Sequence, residues 1–252
     1  MYMSKLIINA DDFGYSKGVN YGIIDAYQNG ILTSTTMMTN MPAAEHAAKL
    51  AFENPELSVG IHFVLTCGGP VSTGVPSLVD EHGNFKKLSV LEKDQTIKLE
   101  EIEKEYRAQL DRFLSFGLKP SHFDSHHHMH MHEMVYPIFE KLAKEQDVPI
   151  RISSPDLNHP SYQFKTTQYF DYSFYKTESN QLNIDLLVNI LKKCSQFETA
   201  EIMSHPAFLD QALLSGTSYA LPRALEQQIL TSKEARKAIE DLNIELINYR
   251  QL

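Results

Sequence analysis

The chain has 252 residues, is 42% hydrophobic and 22% charged, and carries a formal charge of −9 from 32 acidic and 23 basic side chains. A polypeptide of this length buries a sizeable core, and one barrel-sized domain fits it at least as well as two smaller ones. The acidic balance argues against a nucleic-acid partner, which needs clustered Lys and Arg, and favours a neutral ligand.

With only Cys67 and Cys194 there is no disulfide framework, and the chain reads as cytoplasmic. No stretch approaches eighteen uninterrupted apolar residues, so no membrane span is expected. The N-terminal sequence passes from Lys5 into Leu6-Ile7-Ile8 and ends in Asp11-Asp12, which reads as a buried first strand rather than a signal peptide. Ser16 caps a helix carrying Val19, Ile23, Ile24 and Tyr27, stopped at Gly30. Ile31 to Thr39 is the second strand, a helix follows from about Ala43 to Phe52, and Leu57 to Leu65 gives a third strand with His62 inside it.

From Cys67 to Leu91 the periodicity lapses into sequence punctuated by Gly and Pro, a loop long enough to act as a lid or binding loop. Ile102, Tyr106, Leu110 and Phe113 then form one helical stripe with Gly117 beyond its end, and Pro120 leads a short strand into a histidine tract. Val135, Ile138, Phe139 and Leu142 mark the next helix and Pro149-Ile-Arg-Ile the next strand. Residues 155–180 are rich in Tyr and Asn and carry little pattern beyond a candidate strand from Phe170 to Tyr175. Ile184, Leu187, Leu191 and Cys194 make a further helix, and Glu201-Ile-Met begins a strand ending at Ser204-His205-Pro206. A loop around Gly216 and Pro222, a helix near Ser232 to Leu242 and a strand from Ile244 to Asn248 follow. This alternation, with roughly eight strands, predicts an α/β fold, a distorted TIM-like (β/α) barrel forming a single domain over residues 1–252.

The densest chemistry lies in Ser121-His-Phe-Asp-Ser-His-His-His-Met-His-Met-His132, which holds six of the eleven histidines. Imidazole is the commonest protein metal ligand, and Asp124 stands close enough to ligate or to orient a ring. A purification tag or a solvated polar turn is the ordinary alternative, but the tract is internal and interleaved with Phe and Asp. Spacing leaves the ligands open: an extended tract puts His126, His128, His130 and His132 on one face, whereas a helix pairs His126 with His130.

In parallel α/β folds the C-terminal strand ends share one face. The tract would meet Asp11-Asp12, His62 and His205 there. Singly, the acids read as a turn or cap, His62 as a core histidine and His205 as a strand end before proline. Together they supply an Asp/His/His set with open coordination positions, a second carboxylate to accept a proton and a histidine to return it. Such parts suit metal-assisted hydrolysis of an amide or ester.

Asn9-Ala-Asp-Asp-Phe-Gly, Gly60-Ile-His-Phe-Val-Leu-Thr, His122-Phe-Asp-Ser-His-His-His-Met-His and Ser204-His-Pro-Ala-Phe closely resemble the motifs of the YdjC-like carbohydrate deacetylases. That group includes chitooligosaccharide (diacetylchitobiose) deacetylase, and the similarity runs in order from Leu6 to about Tyr249. The resemblance implies a distorted β/α barrel, one divalent ion, magnesium or zinc, and removal of N-acetyl groups from a small acetylated oligosaccharide. It implies Asp12, His62 and His126 as metal ligands, Asp11 as general base and His205 as general acid. It leaves His127 and His128 without a role, sets Asp124 behind the ligands, puts Tyr219 to Arg223 in a loop beside the sugar, and suggests a homodimer. Two imidazoles and one carboxylate suit zinc or another transition metal better than magnesium. The rival readings are a metal-dependent phosphoesterase, which favours two ions about 3.5–4 Å apart and cationic groups for the phosphate, and a non-catalytic sugar-binding regulator, which has no use for a base at Asp11.

Overall fold

Every residue from Leu6 to Phe13 in strand β1 (Ser4–Phe13) is buried, the continuous pattern of a strand covered on both faces. The computed structural model describes residues 3–91, 93–153 and 163–252. Around β1 stand β2 (Ser34–Met37), β3 (Ser58–Phe63), β4 (Phe123–Ser125), β5 (Tyr169–Asp171), β6 (Thr199–Ser204) and β7 (Ile244–Leu246). All pairings are parallel, in the order β4-β3-β2-β1-β6-β5, with β7 on β1.

Leu6 O accepts the Ile247 N–H and Ile8 O the Thr33 N–H. Carbonyls two residues apart point to the same edge, so β7 takes the first part of the edge that β2 occupies further along. The parallel sheet forms a half-barrel with flanking helices, as the β/α alternation predicts.

The helices are α1 (Lys17–Asn29), α2 (Ala44–Glu53), α3 (Leu88–Leu91), α4 (Leu99–Ser115), α5 (Tyr136–Gln146), α6 (Ser173–Lys176), α7 (Ile184–Cys194), α8 (Gln211–Gly216), α9 (Ala220–Leu230) and α10 (Lys233–Asp241). Side-chain oxygens of Ser16, Asn183, Asp210 and Ser232 accept first-turn N–H groups of α1, α7, α8 and α10. The stripe predicted on α4 packs inward: Phe63 lies 4.5 Å from Tyr106, 5.0 Å from Phe123 and 6.0 Å from Phe139, ring centre to ring centre. Among the described residues no helix is long and apolar enough to cross a membrane.

Three expectations change. The strand predicted at Pro149-Ile-Arg-Ile is reduced to a single bridge between Ile150 and Phe123. The segment around Gly216 and Pro222 is not a loop but the end of α8 and the start of α9, with Tyr219 just before α9. Pro222 falls in the first turn, where no intrahelical acceptor awaits its missing N–H. The candidate strand Phe170 to Tyr175 pairs only at Tyr169–Asp171 before α6 begins, and residues 155–162 of that stretch lie outside the described residues.

The loop from Cys67 to Leu91 is anchored by α4. Glu105 accepts the N–H groups of Val71 and Ser72, both at 2.9 Å, and Glu101 that of Ser77 at 2.7 Å.

Candidate active site

The register of β1 against β2 shifts between Ala10 and Phe13, and Asp12 adopts a left-handed φ of 70°. Neighbouring strand residues normally face opposite ways. Here both aspartates enter one cavity of about 560 Å³ at the C-terminal ends of the strands, together with His62, His126, His205 and Arg223.

His62 on β3 and Asp124 on β4 are register partners, with His62 Nδ1 2.7 Å from Asp124 Oδ1. Asp124 is itself held by Thr36 Oγ1 at 3.1 Å and Arg151 Nη1 at 2.7 Å. With Nδ1 so engaged, His62 turns Nε2 to within 3.4 Å of Asp12 Oδ1. His126 Nδ1 approaches the same oxygen at 3.2 Å. That oxygen is buried and accepts no hydrogen bond, while its twin, Asp12 Oδ2, accepts one from Arg223 Nη2 at 2.6 Å.

These three donors fit a metal ion. Ligand bonds of about 2.0–2.1 Å at tetrahedral angles leave donor atoms roughly 3.3–3.4 Å apart, close to the 3.2 and 3.4 Å separations here. Burial disfavours charge on His62, yet Asp124, Asp11 and Asp12 outweigh it and push its pKa up to about 9. The surroundings therefore favour positive charge at that ring, which a cation beside it also satisfies. Asp11, His62 and Asp124 form a second acidic group, but Arg151 already pairs with both of its carboxylates.

The histidine tract is neither extended nor regularly helical. Residues 126–131 form a tight turn in which His127 and His128 take left-handed φ values of 56° and 54°. The chain consequently turns His126 into the cavity and His130 into the core, where His130 Nδ1 lies 2.7 Å from Ser125 Oγ and its ring lies against Phe139. His127 lines the cavity with Nδ1 2.9 Å from Thr66 Oγ1, and His128 sits edge-on to Phe170. His122 is fully buried and stacks on Tyr249 at 3.6 Å, away from the donors. His132 Nδ1 accepts the Met134 N–H at 3.3 Å.

Asp11 is clamped by Arg151 through both carboxylate oxygens, at 2.8 and 2.7 Å, and accepts a third bond from Asn9 Nδ2 at 2.9 Å. Burial alone would raise its pKa, but the Arg151 charge, with His62, holds the carboxyl well below the usual range. Asp12 is held low in the same way by Arg223 and His126 against the effect of burial. His205, following β6, places Nε2 4.0 Å from Asp11 Oδ2. Burial, reinforced by Arg223, lowers its pKa to about 4. Its backbone N–H donates to Glu226 Oε2 at 2.6 Å, and the Tyr219 hydroxyl donates to Glu226 Oε1 at 2.7 Å.

All five predicted site residues thus line one cavity, and Asp124 stands behind His62. Sequence reasoning missed the supports: Arg151, Glu226 and the ion pair of Arg223 with Asp12. One signal was available for Arg151, a cation within the short apolar run Pro149-Ile-Arg-Ile. Glu226 has no local signature, since its partners lie on other turns of the chain.

A family model described as YdjC-like protein matches residues 5–241. The chain is 47% identical to a carbohydrate deacetylase of Brevibacillus brevis, over 98% of this chain and 99% of that one. It is 42% identical to a chitooligosaccharide deacetylase of Yersinia enterocolitica, over 97% of each. A solved structure from Enterococcus faecalis V583, provisionally named a cellobiose-phosphate cleavage protein, superposes with a TM-score of 0.92 at 35% identity and covers 99% of both chains.

Proposed function

The chain belongs to the YdjC-like protein family, and from that membership we propose that it is a metal-dependent deacetylase of short acetylated amino sugars such as diacetylchitobiose. The observation that carries this reading is the approach of His62 Nε2 and His126 Nδ1 to one unpartnered oxygen of Asp12, beside an aspartate clamped by arginine. The names of the relatives supply the substrate class. Asp12, His62 and His126 hold the ion, whose nitrogen-rich donor set favours zinc or another transition metal over magnesium.

When bound, the ion supplies Lewis-acid polarisation of the acetyl carbonyl and makes a water more acidic. Asp11, kept ionised by Arg151, accepts a proton from the attacking water as its oxygen adds to the carbonyl carbon. His205 is neutral at rest, so the proton it delivers is the one received at Asp11, 4.0 Å away. It passes to the amide nitrogen as the carbon–nitrogen bond breaks, leaving a free amine and acetic acid, which ionises to acetate. Arg223 fixes the Asp12 carboxylate so that Oδ1, not Oδ2, faces the two imidazoles.

The phosphoesterase alternative finds less support. The second acidic group, where another ion would sit, is already neutralised by Arg151. Mass spectrometry of diacetylchitobiose incubated with the protein tests the proposal. Loss of one acetyl group, abolished by a chelator and restored by zinc or magnesium, is expected. Absence of acetyl loss from the metal-loaded protein overturns it.

A further inference from the structure

A second cleft, of about 600 Å³, lies beside the candidate active site and is lined by Ser16, Lys17, His46, Asp210 and Ser215 among others. Both volumes fall within the roughly 300–1,000 Å³ of small-molecule sites. Among the described residues, Tyr15 is the one that lines both spaces. Its ring spans the gap between the β1–α1 turn and the end of α8: a methyl group added to Gly216 would collide with the Tyr15 hydroxyl. The backbone of the turn that carries the ring is fixed by the Tyr15 N–H, which donates to Asp12 O at 3.0 Å. The wall therefore stands in the same turn as a proposed metal ligand. Behind it, the Arg223 guanidinium lies 6.0 Å from the ring centre.

We infer that Tyr15, packed against Gly216, ends the saccharide site on the α8 side and so determines which sugar of a chain is deacetylated. This rests on the deacetylase reading above. A sugar presenting its acetamide to Asp12, His62 and His126 meets the tyrosine ring on that side, and no further unit fits beyond it. Deacetylation consequently falls on a unit at one end of the chain. Without the ring the cavity runs on into the neighbouring cleft, and a longer chain can lie across Tyr15's place with an internal unit at the reacting position.

The test compares wild type, Tyr15→Phe, Tyr15→Ala and Gly216→Ala on diacetylchitobiose and on the fully acetylated tetrasaccharide, with each free amine located by tandem mass spectrometry. Wild type and Tyr15→Phe, which keep the ring, are expected to leave the amine on a terminal unit only. Tyr15→Ala removes the wall, and Gly216→Ala pushes the hydroxyl aside by an independent route. Both are expected to yield internally deacetylated product and to raise the tetrasaccharide-to-disaccharide ratio of kcat/KM at least about tenfold, as changes in pocket fit commonly do. Internal deacetylation by wild type overturns the inference, as does a terminal-only pattern in both opened variants. Failure of wild type to deacetylate either substrate instead overturns the proposed function, and the two failures are told apart by the wild-type reaction alone.

Discussion

Asp11 and Asp12 are adjacent acids that answer to different cations. Arg151 occupies both oxygens of the first, whereas Arg223 occupies one oxygen of the second and leaves the other to the imidazoles. Asp11→Asn is expected to retain bound metal while turnover falls about 10²–10⁴-fold, the usual contribution of a general base. His62→Ala should lose both metal and turnover, so metal analysis beside a rate assay separates the roles, and wild-type turnover in Asp11→Asn removes the base assignment. Asp124→Asn leaves the proposed ligands in place but weakens the aim of His62, and metal affinity in a chelator competition should drop about 10–100-fold. The proposed ligands were legible in the sequence because each sits in a short local motif. Their supports were not: Glu226 and Arg151 acquire meaning only when the fold brings distant carboxylates or backbone amides against them.

At the scale of elements, α9 braces the strand end that carries His205. Glu226 is fully buried on this helix, and burial outweighs its hydrogen bonds from His205 and Tyr219 to push its pKa up to about 7. A carboxyl whose folded pKa exceeds its unfolded value stabilises the protein fully below the unfolded pKa, here near 4.5. That contribution is lost as pH rises toward 7. Glu226→Gln cannot titrate, so its stability relative to wild type should increase between about pH 4.5 and 7 by as much as ~3 kcal/mol and then level off. Melting curves across that range check it, and a constant difference contradicts it. Neither α8 nor α9 was legible, since Gly216 and Pro222 read as loop punctuation although the proline sits harmlessly in a first turn. The histidine tract was misleading for a related reason. Period-based arguments assume repeating backbone angles, and His127 and His128 break the repeat.

Across the whole molecule, Arg151 joins carboxylates from three strands: Asp11 of β1, Asp124 of β4 and Glu201 of β6, the last also bonded by the Tyr249 hydroxyl. The guanidinium is fully buried, so Arg151→Met strands three acids in the interior. Breaking a buried pair in this way costs about 3–5 kcal/mol, and urea unfolding should show at least that loss, together with loss of turnover. The alternation of apolar strands with amphipathic helices made the β/α architecture legible over most of the chain, α8 and α9 excepted. What it could not show was that the segment at Ile150 pairs through one bridge while its arginine works inward.

The left-handed bend at Asp12 also constrains what else position 12 will accept. Glycine would relax the torsion, a gain of roughly 1 kcal/mol, but would abandon Arg223; a β-branched residue would fit neither the angle nor the charge; glutamate would overreach the imidazoles. In a saturation library selected first for folding and then for turnover, this codon should tolerate fewer replacements than its neighbour Ala10, where size alone is at stake.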